Sequence, residues 1–328
     1  LTILLGPNNS GKSTILEALF LAPNPLRKVP YFFTELKATE PDYALDVIYF
    51  LHKTLDYQGY AFLLHNYNGE GSEIICDIDE TEYSLRFVNA DPYIYLTTNQ
   101  EMKNCGSVTI KGETVRYFGI IHFRGLNAEG VYDRSLFMGE TLLISPNLTK
   151  MGYEYCRQQW ATIINARITR RVAEDASTFS QDRYKDLTME PVIGGQLDLH
   201  AYFDDGRRIR LGDLGEGIQS YVTSKILYEV AKPEILLWDD IESHLNPRIL
   251  LHIADWFSEL LKNKKQVILS THSLEATKVI AGVNEEETGI YLTSLEDSNL
   301  KTKKLTLSEV ENLQEAGIDA RTAEALLL

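Results

Sequence analysis

The run Gly6-Pro7-Asn8-Asn9-Ser10-Gly11-Lys12-Ser13-Thr14 is the first place where chemistry can be read from this chain. Its spacing, Gly-x-x-x-x-Gly-Lys-[Ser/Thr], lets the backbone curl so that successive N–H groups converge on one phosphate group. The start of the following helix adds partial positive charge to the same point. Lys12 is then placed to bridge the β- and γ-phosphates of a nucleoside triphosphate, and the Ser13 hydroxyl to take one Mg²⁺ position. A second signal is Ile235-Leu236-Leu237-Trp238-Asp239-Asp240, an apolar strand ending in two acids. Asp239 is expected to hold Mg²⁺ and Asp240 to orient and polarise an attacking water. A third is Val267-Ile268-Leu269-Ser270-Thr271-His272-Ser273, which puts a histidine at the end of a buried strand. A neutral imidazole there can hydrogen-bond a γ-phosphate and so tell a triphosphate from a diphosphate. Read singly, these are a glycine-rich turn, a polar turn and a structural histidine. Read together in this order, they favour a nucleotide site.

The elements that must position these residues follow from periodicity. Residues 1–5 read as a buried strand and 12–21 as a helix stopped by Pro23 and Pro25. The chain opens inside that strand, so further natural sequence upstream is expected. From Tyr43 to Phe123 the pattern becomes short aromatic and β-branched runs, at 60–64, 73–78, 83–88 and 120–123, separated by turn residues. This predicts a β-rich lobe over about 43–125. Residues 126–190 gain helical spacing, notably over 153–173, and predict a helical insertion or arm. Residues 1–125 and 191–328 are then the head.

Strands resume from Gln196, with a hairpin turning at Asp204-Asp205-Gly206. Ile218, Tyr221, Val222, Ile226 and Val230 mark one face of a helix, and Asn246-Pro247 open another as N-cap and first residue. Ser308 with Glu311 is expected to form a capping box for a last helix that Gly317 ends.

Composition limits the partners. With 44% hydrophobic residues among 328 there is enough apolar material for a packed core. A formal net charge of −15 repels phosphate backbones, so nucleic acid would need a local basic patch. Cys76, Cys105 and Cys156 are far apart, against a disulfide framework or a zinc site, and a reducing cytoplasm is the expected location. No apolar run approaches the ~20 residues of a membrane span and no signal peptide is visible, so a soluble protein with no membrane partner is expected. Arg167, Arg170 and Arg171 fall at helical spacing, with Arg157 upstream. They could contact phosphates of nucleic acid or acids on a partner, but a solvated face that offsets acidic surface is favoured.

The phosphate loop, the strand with its two acids and the histidine resemble, in this order, the ABC/SMC-type ATPases. The run Leu236-Leu237-Trp238-Asp239-Asp240-Ile241-Glu242-Ser243-His244-Leu245-Asn246-Pro247 further resembles the AAA-like ATPases related to the OLD family. The likeness covers residues 1–22 and about 205–280. It implies an α/β P-loop NTPase head of ABC/SMC type that binds ATP with Mg²⁺, hydrolyses it, and forms an ATP-dependent homodimer. Each phosphate loop would be completed by the partner copy's signature motif, here Leu214-Gly215-Glu216-Gly217-Ile218-Gln219, with Gly215, Glu216 and Gly217 at the γ-phosphate. Asp240, Glu242 and His272 are the implied catalytic groups.

The chain departs from these relatives in two places. Gly215 stands where many carry a serine, and Asp240 replaces the usual glutamate, so either turnover is expected to be slow or Glu242 to assist. Arg124 is the candidate in the region of the glutamine that usually couples the γ-phosphate to the inserted lobe. The 56 residues after His272 are too few for the Toprim nuclease domain of OLD relatives, so a nuclease or other effector would have to be a partner. Processes of the DNA-repair or phage-defence type are the expected setting. The alternatives are a transporter ATPase subunit, against which stands the absence of a Leu-Ser-Gly-Gly-Gln signature, and a non-hydrolytic, ATP-gated binding module.

Overall fold

The structure is a computed structural model that describes residues 1–32, 42–53, 59–69, 71–78, 80–125, 128–131, 139–180 and 183–321. Residues 126, 127, 132–138, 181 and 182 of the expected insertion lie outside the described residues. In chain order the elements are β1 (Thr2–Leu5), α1 (Lys12–Leu21), α2 (Ala44–His52), β2 (Gly71–Ile78), β3 (Thr81–Ala90), β4 (Tyr93–Thr98), β5 (Gly106–Ile110), β6 (Glu113–Tyr117), β7 (Gly119–His122) and β8 (Ala128–Gly130). They continue with β9 (Thr141–Ile144), α3 (Thr149–Gln158), α4 (Trp160–Asn165), α5 (Ile168–Ser177), β10 (Tyr184–Pro191), β11 (Leu197–Phe203), β12 (Arg208–Arg210), α6 (Glu216–Ala231) and β13 (Ile235–Trp238). The last are α7 (Pro247–Lys262), β14 (Gln266–Thr271), α8 (Leu274–Val283), β15 (Gly289–Glu296), β16 (Asn299–Leu305) and α9 (Leu307–Glu315). The chain divides into a larger unit, residues 1–16, 30–41 and 140–328, and a smaller one, residues 17–29 and 42–139.

The larger unit is built on a sheet in the order β16-β15-β1-β14-β13-β9. All neighbours pair parallel except β15 and β16. Its inner strands are short apolar runs because a parallel sheet covered on both faces needs no alternation. Ile3 and Leu5 of β1, Leu237 of β13, and Val267 and Leu269 of β14 are fully buried. The N-cap Asn246 accepts the Ile249 N–H at 3.0 Å, and α7 then lays Trp256 and Phe257 against Trp238 at ring-centroid separations of 6.2 and 6.0 Å. The hairpin at 204–206 forms between β11 and β12.

Helices α3 and α5 pack on α6 inside this same unit, and α5 also packs on β10. Strands β9, β15 and β16, which periodicity did not reveal, complete the sheet. The capping box of α9 is Thr306 with Glu309, two positions earlier than expected. Thr306 Oγ1 accepts the Glu309 N–H at 3.2 Å and Glu309 Oε2 accepts the Thr306 N–H at 2.7 Å. Both Thr306-x-x-Glu309 and Ser308-x-x-Glu311 fit the motif. The earlier one prevails because β16 ends at Leu305 and the helix starts at once. Gly317 does end it, at φ 76.

The smaller unit holds an antiparallel sheet in the order β2-β3-β4-β7-β8 and the β5–β6 hairpin. Two expectations are corrected here. Residues 60–64 form a single 3₁₀ turn at Ala61–Leu63 rather than a strand. The start of the lobe is helix α2, which buries Ala44, Leu45, Val47, Ile48 and Tyr49. β-branched and aromatic content reports a packed surface as much as a strand. Tyr60 is fully buried and donates its hydroxyl to Asp46 of α2 at 2.5 Å, which ties the turn to the helix. Among the described residues, no helix is long and apolar enough to cross a membrane.

Candidate functional site

The phosphate loop leaves β1 at Leu5 and presses on β15. A Cβ on Gly6 would lie 2.6 Å from the Thr293 carbonyl oxygen, so only glycine fits this approach. Ser10 Oγ and Thr293 Oγ1 are 2.9 Å apart, fastening the far side of the loop to the same strand. Left-handed backbone at Asn9 (φ 63) and Gly11 (φ 83) closes the curl. The Lys12 side chain is buried, and its ammonium donates to the Gly6 carbonyl at 3.0 Å, the Pro7 carbonyl at 2.7 Å and Ser10 Oγ at 3.3 Å. Burial lowers the Lys12 pKa, while Asp240, Asp239 and Glu242 pull it back up. The cation is thus held at the loop by weak neutral acceptors that phosphate oxygens can replace.

Strand β14 lies between β1 and β13, so the loop and the two acids are not on adjacent strands. Side chains close the gap. Ser13 Oγ donates to Asp239 Oδ1 at 3.2 Å, and Ser270 Oγ, from β14, donates to the same oxygen. Ser270 Oγ also accepts the Asp240 N–H at 2.9 Å. Ser270 is fully buried, and sequence reasoning missed its role. The available signal was a small polar residue at the buried end of an apolar strand. Burial raises the Asp239 pKa, with Ser270 and Ser13 opposing and Asp240 adding to the rise. A carboxylate disfavoured by burial, with the Ser13 hydroxyl hydrogen-bonded to it, is an oxygen-only set that suits a hard cation such as Mg²⁺.

Asp240, Glu242 and His272 come together. Glu242 Oε1 accepts the His272 backbone N–H at 2.7 Å and lies 2.9 Å from His272 Nδ1, while Asp240 Oδ1 lies 3.5 Å from that nitrogen. With Nδ1 turned to the carboxylates, Nε2 is the ring nitrogen left for a ligand. Glu242 Oε2 is buried with no hydrogen-bond partner. Asp240 has φ 50, a left-handed conformation that aspartate tolerates better than glutamate does. Arg321, which the sequence did not flag, donates to the His272 carbonyl at 2.6 Å.

The 214–219 run packs on the turn that carries these acids. Gly215 is the N-cap of α6, exposed, with nothing within 4 Å of where its Cβ would be. Gly217 is the opposite case: a Cβ there would lie 2.8 Å from the His244 carbonyl oxygen and 2.9 Å from Ile249 Cδ1. Gln219 Nε2 donates back to the Leu214 carbonyl at 2.6 Å and the Gly212 carbonyl at 3.2 Å, holding the loop before the helix. Glu216 Oε2 sits 2.7 Å from His244 Nδ1.

The expected arginine face is not formed. Arg167 has φ 55 and stands before α5 as its N-cap, so it does not continue the helical face of Arg170 and Arg171. Arg170 pairs with Glu174 at 2.8 Å, Arg171 with Glu229 at 2.9 Å, and Arg157 Nε with Glu154 at 2.9 Å. These guanidinium groups offset acidic surface. Arg124 belongs to the smaller unit, 5.9 Å from the Phe123 ring centroid.

A family model described as an AAA domain, putative AbiEii toxin, Type IV TA system, matches residues 164–277. That span includes α6, both acids and His272. A crystal structure of an Smc head bound to the C-winged helix domain of ScpA is similar over 94% of this chain and 91% of that one, with a TM-score of 0.51 and 16% identity. The SMC head domain from Thermotoga maritima is similar over 93% of this chain and 89% of its own, with a TM-score of 0.42 and 13% identity. An Smc head from Pyrococcus furiosus, with an extended coiled coil and bound to the C-terminal domain of ScpA, gives 96% and 92%, a TM-score of 0.45 and 13% identity. No curated protein matches the chain. The fold is that of an Smc head.

Proposed function

We propose that this chain binds ATP with Mg²⁺ at the 6–14 loop, hydrolyses it, and closes with a second copy around two ATP molecules. The observation that carries this reading is the meeting at Asp239 Oδ1 of hydroxyls from the phosphate loop, Ser13, and from β14, Ser270. It binds the triphosphate cradle to the acids and the histidine in one polar chain. Bound there, Mg²⁺ supplies charge neutralisation at the β- and γ-phosphates. Lys12 trades its loop acceptors for phosphate oxygens. Asp240 takes the attacking water, Glu242 fixes the His272 ring, and Nε2 of that ring faces the γ-phosphate. Gly215 to Gly217 of the other copy present the α6 N-terminus to the same phosphate. The relation to the OLD family rests on the 236–247 run. The family match to a putative toxin of a Type IV TA system favours a defence-type process over repair. A protein effector is the partner expected on this reading, since the arginines at 157, 170 and 171 already face carboxylates.

The test is Asp240→Asn, which keeps the metal and phosphate contacts and removes the water-activating carboxylate. Light scattering should show a monomer with ADP and a stable dimer with ATP and Mg²⁺. A variant that stays monomeric in saturating ATP refutes the shared site, and one that turns over at the wild-type rate removes Asp240 from its role. The left-handed backbone and short side chain of Asp240 favour one rival, an ATP-gated binding module without hydrolysis. Steady-state phosphate release from the wild type decides between them.

A further inference from the structure

A bound triphosphate has two ends, and the topology sends them to opposite sides of β1. Asp239, Asp240 and His272 follow β13 and β14, which lie on one side of β1, so the γ-phosphate points that way. A nucleoside at the other end of such a triphosphate would lie toward the other neighbour of β1, which is β15, paired antiparallel with β16. In open α/β sheets ligands lie at the carboxyl ends of the parallel strands, and the β15–β16 hairpin turns at that end. The turn is made by Asp297 (φ 48) and Ser298 (φ 64), the left-handed pair whose twist matches a tight two-residue hairpin. Its tip is therefore short and stiff.

Beneath the turn, Leu295 and Leu300 are direct cross-strand partners and so share one face of the hairpin. Each is 42% exposed, whereas Leu292 and Leu305 on the same strands are buried. The face is turned to the phosphate loop: a Cβ on Gly11 would meet Leu300 Cδ1 at 3.1 Å and Leu295 Cδ1 at 3.9 Å. The ion pair of Glu296 with Lys301 belongs to the opposite face, one residue out of phase with the leucines. A single exposed leucine needs no explanation. A matched, rigid pair beside the phosphate cradle, on the side to which the nucleoside must go, has a specific occupant.

We propose that Leu295 and Leu300 form the apolar platform on which the purine ring of the bound nucleotide lies. The inference rests on the ATP reading above and names the base-contacting part of that site. An apolar platform gains from covering the flat ring face and is indifferent to the phosphates. Titration calorimetry of the full chain with ATP and with tripolyphosphate, which has no base, separates the two parts. Leu295→Ala with Leu300→Ala should lower ATP affinity roughly tenfold or more and leave tripolyphosphate affinity unchanged. Wild-type binding of both ligands by the double variant overturns the platform and leaves the ATP reading standing. Equal loss of both ligands also overturns it, since the leucines would then be supporting the loop. A wild-type chain that binds neither ligand removes the ATP reading and the platform together. Should the double variant not fold, Leu300→Gln keeps the side-chain length while removing the apolar surface, and the same outcomes apply.

Discussion

Replacing Gly217 with alanine should weaken the larger unit, although alanine is the better helix former. The new methyl carbon would lie 2.8 Å from the His244 carbonyl oxygen and 2.9 Å from Ile249 Cδ1. Both are well inside the ~3.5 Å at which carbon contacts become favourable. One partner is backbone, so the 240–245 turn must retreat. Overpacking of this kind costs about 1–3 kcal/mol, and helix propensity returns at most ~1 kcal/mol. The net expectation is a loss of about 0–2 kcal/mol, against the gain that alanine brings at an open helical glycine.

Trp160, Trp238 and Trp256 are the three tryptophans of the chain and all belong to the larger unit, so their fluorescence in urea reports that unit. Gly282→Ala is the control. It lies in the last turn of α8 with nothing within 4 Å of its Cβ position, and should raise the midpoint by the equivalent of about 0.5–1 kcal/mol. A Gly217→Ala protein that gains stability as Gly282→Ala does would refute the close packing of α6 on the turn.

Lys12→Ala should abolish most ATP binding, since the loop loses the charge that bridges phosphates; fluorescent-nucleotide affinity equal to wild type would remove the lysine from that role. Burial raises the Asp239 pKa, so stability of the ligand-free chain falls as pH rises from the unfolded-state value through the raised folded one. Asp239→Asn should therefore raise the urea midpoint at pH 7 in EDTA while abolishing stabilisation by Mg²⁺ with ATP; a lower midpoint contradicts this. Glu242→Ala removes the nearer of the two carboxylates at the His272 ring and the acceptor of its backbone N–H, and turnover should fall by roughly 10–100-fold at near-normal ATP affinity. Unchanged turnover in single-turnover assays would show that the His272 ring does not depend on Glu242.

The phosphate loop was legible because its chemistry is local: glycines at fixed offsets, a lysine and a hydroxyl within nine residues, and a strand before them. The acids and the histidine were legible as strand ends. Ser270 and Arg321 were not, because their roles exist only once β14 lies between β1 and β13 and the residues after α9 pass near His272. Helical spacing placed Arg167 with Arg170 and Arg171, but periodicity does not show a single left-handed residue that separates one helix from the next. Strand β9 is four residues and fully buried, too short to show a period. The helix at 44–52 was hidden by aromatic residues that pack inward rather than pair.

The 240–245 turn joins the acids beside His272 to the start of α6. Within it Asp240 and Glu242 face His272, and His244 faces Glu216. The side chains of one tight turn therefore touch both the proposed reacting centre and the first turn of α6, and the His244 carbonyl rests against Gly217. Coupling needs an element with discrete arrangements that both sites bias. Left-handed backbone at both Asp240 and His244 gives the turn few ways to deform gradually. On the proposed reading, a shift of Asp240 or Glu242 on loss of the γ-phosphate would be passed to the His244 carbonyl and to the end of α6 that rests on it. The glycine at 217 is what lets that contact be backbone to backbone, so a side chain there would push the start of α6 away from the turn that holds the acids.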